Sequence, residues 1–170
     1  KILVPKLAHI SNYDDFDPLI AEPDVDFRFI NRGDVLPNNA DLIILPGSKT
    51  TIADLADMRI QGWDIDILSH VRNEGFVVGI CAGFQMLGNL IEDPKNMESK
   101  IGSIRGLGLL DVKTEMNNNK TLAEVCAISK QGFGKFEGYE MHIGKTTGPD
   151  CNRPFCSVEG KNMGAVSPNG

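Results

Sequence analysis

The stretch Val78-Gly79-Ile80-Cys81-Ala82-Gly83-Phe84-Gln85-Met86-Leu87-Gly88 decides the reading of this chain. It follows the apolar run Phe76 to Ile80, which is too short for a helix and reads as a buried strand. Ala82 to Ile91 then has helical spacing. Cys81 stands at the junction, with Gly79 before it and Gly83 after it. Gly-x-Cys-x-Gly between a strand and a helix is the pattern of a nucleophile elbow, with cysteine in place of serine. The turn is sharp and strained, and small flanking residues let the backbone pass close by. It aims the sulfur at the carboxyl edge of the sheet, where open α/β folds bind ligands. It also places the thiol at a helix start, whose positive end favours thiolate. The Ala82 N–H is then a natural oxyanion donor. A small buried cysteine satisfies the same short pattern equally well. Gln85, one helical turn later on the same side, tips the balance toward a pocket, although a solvated helix position would also accommodate it.

A second junction has the same form. Asp41 to Leu45 is an apolar run that ends in Leu45-Pro46-Gly47-Ser48-Lys49-Thr50-Thr51. Helical spacing follows in Ile52, Leu55 and Met58, and again in Trp63, Ile67, Leu68 and Val71, with Gly75 as the stop. Gly47 permits unusual backbone angles and can aim an N–H at a ligand. The helix start adds further free N–H groups. Taken alone, this segment is equally an ordinary turn with a Ser or Thr cap. It lacks the longer glycine-rich loop of a phosphate-binding Walker motif.

Earlier still, Ile2 to Val4 reads as a strand, Asp14 to Ile20 as a short helix, and Val25 to Ile30 as a half-buried strand. Buried strands alternating with helices predict an α/β fold, with a mostly parallel central sheet flanked by helices on both faces. The second half reads differently. Strands are expected at Leu107 to Thr114, Ala123 to Ser129, Phe136 to Lys145 and Phe155 to Glu159, with a turn at Asn117 to Asn119. These are expected to add an antiparallel extension to one edge of the sheet.

Composition narrows the function classes. The chain has 170 residues, 41% hydrophobic and 24% charged, which is one globular domain's worth. No apolar run approaches the ~20 residues of a membrane helix, and no signal peptide is expected from the strand-like opening Lys1 to Val4. The net charge of −6 disfavours nucleic acid as a partner. Four cysteines are too few for a disulfide scaffold, so a reducing cytoplasm is expected.

Together these residues resemble a class I (triad-type) glutamine amidotransferase domain, a flavodoxin-like fold, and resemble most the C-terminal glutaminase domains of cobyric acid synthases. Five stretches carry the resemblance across nearly the whole chain: Ile10 to Leu19, Leu45 to Lys49, Gly79 to Gly88, Gly106 to Val112, and Gly138 to Gly144. The cysteine motif alone indicates an amidotransferase; the first, fourth and fifth stretches separate this subfamily from the others.

The resemblance implies that Cys81 attacks the side-chain amide of glutamine to give a thioester and ammonia. It implies that Gly47 and Ala82 supply the oxyanion hole, and that Ser48 and Gln85 help hold the substrate. It implies no metal and no cofactor in this domain. A separate N-terminal synthetase domain would bind ATP and Mg and use the ammonia to amidate adenosylcobyrinic acid diamide, giving cobyric acid. Ala82 stands where the family usually has Gly, a mild departure because only its N–H is needed. The family's catalytic histidine follows a stretch like Gly164 to Pro168, and this sequence ends at Gly170. Residues 1–170 are therefore expected to be an amidotransferase domain cut before that segment, without its synthetase domain, and a weak glutaminase alone. Two other readings are a related amidotransferase that amidates a cell-wall lipid precursor, and an inactive amidotransferase-like binding domain. The Ser11–Leu19 and Gly106–Val112 stretches argue against the first, and the presence of Cys81 against the second.

The three histidines are read as secondary. His142 is expected to be structural or pocket-lining, His70 a surface residue, and His9 a residue able to approach the catalytic edge. Cys151 and Cys156 fit no zinc spacing and are expected to be incidental. Glu137 and Glu140 are read as strand-face residues.

Overall fold

A computed structural model describes residues 1–117 and 122–170. The turn expected at Asn117 to Asn119 falls on residues 118 and 119, outside that set. The chain divides into two compact units, Lys1–Met86 and Leu87–Gly170.

The first unit is built on four parallel strands: β1 (Ile2–Pro5), β2 (Phe27–Ile30), β3 (Leu42–Leu45) and β4 (Phe76–Gly79). Their order is β2-β1-β3-β4. The chain leaves β1 in one direction to reach β2, then returns across it to reach β3. The order therefore reverses between β1 and β3, and crevices at such switch points bind ligands in open α/β sheets. The expected strands are present: β2 and β3 are trimmed at the start and β4 at the end, while β1 runs one residue further than expected, to Pro5.

Alternate residues of a strand face opposite sides of the sheet. Val4 and Ile44 face the side covered by a short 3-10 helix (Tyr13–Phe16) and α1 (Asp17–Ala21), where Phe16 packs against them with Phe27 and Phe29. Leu3, Ile43 and Leu45 face the other side and are fully buried. The connection from β3 to β4 contains α2 (Thr51–Ile60) and α3 (Trp63–Arg72). Ile52, Leu55, Met58, Trp63 and Ile67 of these helices are wholly buried, as the spacing predicts.

Two expectations are corrected here. The run Phe76 to Ile80 is a strand, but β4 is an edge strand, and Phe76, Val78 and Ile80 on its alternating positions are exposed rather than buried. His70 is buried, not a surface residue. Its ring lies over Gly75, leaving no room there for a side chain, and its Nε2 is 3.1 Å from the Phe76 carbonyl oxygen. The histidine thus closes the end of α3 onto the start of β4.

The helix expected over Ala82 to Ile91 is shorter: α4 spans Ala82–Leu87. Leu90–Glu92 instead forms β5, the start of the second unit's sheet. That sheet also contains β6 (Ser103–Arg105), β7 (Lys113–Ser129), β8 (Lys135–Thr147), β9 (Cys156–Val158) and β10 (Lys161–Met163). Its path is β10-β9-β7-β5-β6, with β8 paired to β7. It is a separate, mixed sheet rather than an extension of the first one: β5 and β7 run parallel, the other pairs antiparallel. Leu107 to Val112 is not strand. Leu107, Leu110 and Val112 are buried in a bend in which Gly108 has a φ of 69°. No helix is long and apolar enough to cross a membrane among the described residues.

Candidate active site

Three loops leave the carboxyl edge of the parallel sheet: residues 6–12 after β1, 46–50 after β3, and 80–81 after β4. The last is the elbow. Ile80 N–H donates to the Leu45 carbonyl at 2.9 Å, and Gly83 N–H closes the turn on the Ile80 carbonyl at 2.9 Å. Cys81 sits inside that turn with a φ of 53°, a left-handed conformation that costs a non-glycine residue about 1–2 kcal/mol. Ala82, the first residue of α4, is buried.

Both flanking glycines are required by contact rather than by torsion. A Cβ on Gly79 would lie 2.5 Å from the Gly83 carbonyl carbon and from the Phe84 nitrogen. A Cβ on Gly83 would lie 2.6 Å from the Leu45 carbonyl carbon. The start of α4 is thus pressed directly against β3 and β4, and the cysteine is carried at the tip of the turn.

Gly47 is brought to the same place. A Cβ on it would fall 3.8 Å from the Cys81 Cβ, and 2.6 Å from Ser11 Oγ. The loops after β1 and β3 pair with each other across the switch point. Ser11 N–H donates to the Gly47 carbonyl at 2.9 Å, Lys49 N–H to the His9 carbonyl at 3.0 Å, and Ile10 and Ser48 form an antiparallel bridge. Ile10 and Ser11 belong to the first stretch on which the family resemblance rests, so this pairing gives that stretch a physical task.

Gln85 lies one turn into α4, its N–H on the Cys81 carbonyl at 3.2 Å. Its side chain is buried, with Thr51 Oγ1 at 3.4 Å from Oε1, so it reaches the start of α2 beside the Gly47 loop. Ser48 Oγ donates to Asp54 Oδ2 at 2.6 Å and accepts the Thr50 N–H at 2.9 Å. Gly47, Ser48, Cys81, Ala82 and Gln85 all belong to the first unit.

Asp54 is the residue the sequence reading missed. It lies in the first turn of α2, on one face with Thr51 and Met58, and all three are buried. A carboxylate at that spacing beside an apolar stripe was the available signal. It accepts from Ser48 and also from the backbone N–H of His9 at 3.1 Å, with His9 Nδ1 at 2.8 Å. His9 therefore does stand at this edge, its ring half exposed.

His142 and Glu140 belong to the second unit, on β8, with His142 Nδ1 3.3 Å from Glu140 Oε1. None of the four cysteines is in a disulfide. Burial pushes the thiols of Cys151 and Cys156 above the usual range, with the Asp150 charge adding to the effect at Cys151. Among the described residues, no group of three His, Cys, Asp or Glu side chains is assembled that could hold a metal ion.

Comparison with known proteins places the chain in a family. The chain is 52% identical over 170 residues to a cobyric acid synthase of Rhizobium rhizogenes, 52% to one of Rhizobium meliloti, and 51% to one of Methylocella silvestris. The match takes in 99–100% of this chain and 35% of the length of each of those proteins. Among solved structures, PurLQS from Thermotoga maritima superposes with a TM-score of 0.72 at 16% identity, over 99% of this chain and 82% of the other. A glutamine amidotransferase crystal structure gives 0.59 at 19% identity, over 82% of this chain and 70% of the other. These two likenesses speak for the fold. A sequence model of the CobB/CobQ-like glutamine amidotransferase domain matches residues 1–170, and the chain belongs to that family.

Proposed function

We propose that this domain hydrolyses glutamine through a thioester on Cys81. The ammonia then passes to an ATP-dependent synthetase, which amidates carboxylates of a corrin ring on the way from adenosylcobyrinic acid diamide to cobyric acid. The reading rests above all on one observation: the Cβ position of Gly47 falls 3.8 Å from the Cys81 Cβ, so a nucleophile on a strained turn and a second backbone segment meet at one point. The names of the relatives support the corrin substrate, and they do not favour the cell-wall or inactive-domain readings.

The chemistry proceeds in two halves. The Cys81 thiolate adds to the side-chain amide carbon of glutamine, and the carbonyl electron pair moves onto oxygen. The N–H groups of Gly47 and Ala82 receive that oxyanion. One such donor is worth about 2.7–4 kcal/mol to the barrier. The C–N bond breaks as the nitrogen takes up the proton the thiol has given, and ammonia leaves a glutamyl thioester. Water adds to the same carbon, the C–S bond breaks, the sulfur regains its proton, and glutamate departs. The backbone of Ser48 and the side chain of Gln85 hold the glutamine. ATP and Mg act in the synthetase, and this domain uses neither metal nor cofactor. Its compartment is the cytoplasm, where cysteines stay out of disulfides.

The test is Cys81→Ser in the protein joined to its synthetase. Glutamine-dependent amidation of the corrin is expected to vanish while amidation from added ammonium survives. Undiminished glutamine-dependent amidation in the variant contradicts the reading.

A further inference from the structure

We propose that Asp54 is the positioning residue of the loop that carries Gly47, fixing Gly47 to Lys49 through Ser48 on one side and His9 on the other. The inference rests on the glutaminase reading above. Helical side chains lean back toward the N-terminus, so a carboxylate in the first turn of α2 lies over the loop that precedes it. The Asp54 side chain is 1% exposed. A buried carboxylate persists only when its oxygens are well supplied with donors. Ser48 Oγ donates at 2.6 Å and His9 N–H at 3.1 Å, and His9 Nδ1 lies at 2.8 Å from the other oxygen.

The arrangement is closed on both sides. Ser48 accepts the Thr50 N–H, and its single hydroxyl proton is directed at Asp54. That hydroxyl therefore acts on substrate through the backbone it anchors, not by donating to glutamine. His9, held by ring and backbone, accepts the Lys49 N–H, and two residues later Ser11 N–H holds the Gly47 carbonyl. Asp54 thus grips both halves of the short ladder that frames Gly47. Glycine has the most permissive backbone of any residue, so its orientation must be imposed from outside. An oxyanion donor works only when aimed at the oxygen as charge develops there.

The test compares two reagents on Cys81 of the purified protein: a diazoketone analogue of glutamine, which must be polarised in the pocket, and iodoacetamide, which reports thiol accessibility alone. Asp54→Asn and Ser48→Ala are each expected to slow the maximal rate of modification by the analogue at least tenfold. The iodoacetamide rate is expected to stay within about twofold. Ser48→Thr, which keeps the hydroxyl, is expected to restore most of the loss. A purely structural carboxylate would change both reagents together. Should Asp54→Asn fail to fold, Ser48→Ala and Ser48→Thr decide. Equal slowing of both reagents, or none, overturns the proposal. Failure of the wild-type protein to react selectively and with glutamine protection is a different result, and it sinks the glutaminase reading with the inference that rests on it.

Discussion

Gly83 is packed against the main chain of Leu45: a methyl group on Gly83 would lie 2.6 Å from the Leu45 carbonyl carbon, well inside the closest ordinary non-bonded approach. Backbone on both sides of the contact leaves nothing flexible to yield. Overpacking of this kind costs about 1–3 kcal/mol and more where main chain must move. Gly83→Ala is therefore expected to lower the urea midpoint strongly, and Gly79→Ala, which meets the Gly83 and Phe84 backbone at 2.5 Å, to do the same. Gly132→Ala, with open space around it but a φ of 88°, serves as a milder control. An unchanged midpoint for Gly83→Ala would show that the elbow is not packed as described.

The strain at Cys81 has a separate signature. Its φ of 53° is comfortable for glycine and costly for alanine. Cys81→Gly is expected to be more stable than Cys81→Ala by about 1 kcal/mol, although both lose the thiol. Thermal unfolding of the two variants side by side checks this. Greater stability of the alanine variant would mean the cysteine is not held in the left-handed region.

Gly47→Ala distinguishes fold from function. The added methyl meets the Ser11 hydroxyl at 2.6 Å, a small group that can rotate away, and reaches to 3.8 Å from the Cys81 Cβ. Stability is expected to fall by no more than about 1–2 kcal/mol. Modification of Cys81 by the glutamine analogue is expected to fall by one to two orders of magnitude, measured as loss of labelled peptide. Full labelling in this variant would separate Gly47 from the oxyanion hole.

Much of the first unit is legible in the sequence because its signals are local. The apolar run Asp41 to Leu45 and the spacing of Ile52, Leu55 and Met58 specify their elements without help from elsewhere. The elbow is legible for the same reason, since Gly79, Cys81 and Gly83 must all act within one turn. What was missed depends on remote partners. Leu90 and Ile91 continue the helical spacing of α4, yet their backbone pairs with β6 and β7, and only Gly88 hints at the break. Phe76, Val78 and Ile80 look buried by composition, but exposure is decided by what lies on the face of an edge strand. His70 and Asp54 are polar residues buried by partners no periodicity encodes: the Phe76 carbonyl for one, Ser48 and His9 for the other. The second unit's sheet is assembled from strand pairs whose order no local pattern reveals.

Asp93 is expected to make the second unit acid-sensitive. Burial raises its pKa, but the backbone N–H groups of Met97, Glu98 and Ser99 favour the charged form more strongly, and the net shift is downward. The folded state therefore prefers the carboxylate. This contribution to stability is fully present above the ordinary carboxylate range, near pH 4, and is lost as pH falls through the lower folded value. Asp93→Asn is expected to lower stability at neutral pH and to flatten the decline in acid. Parallel curves of stability against pH for variant and parent would contradict the assignment.

The most direct measurement of the central claim is to treat the protein with the diazoketone analogue, with and without excess glutamine, and to map the modified cysteines by mass spectrometry. Burial pushes the pKa values of Cys151 and Cys156 up and so disfavours their thiolates, and exposed Cys126 provides the internal reference for non-selective reaction. The account predicts that Cys81 is labelled well ahead of Cys126 and that glutamine protects Cys81 alone. Equal labelling of Cys81 and Cys126, indifferent to glutamine, would contradict it.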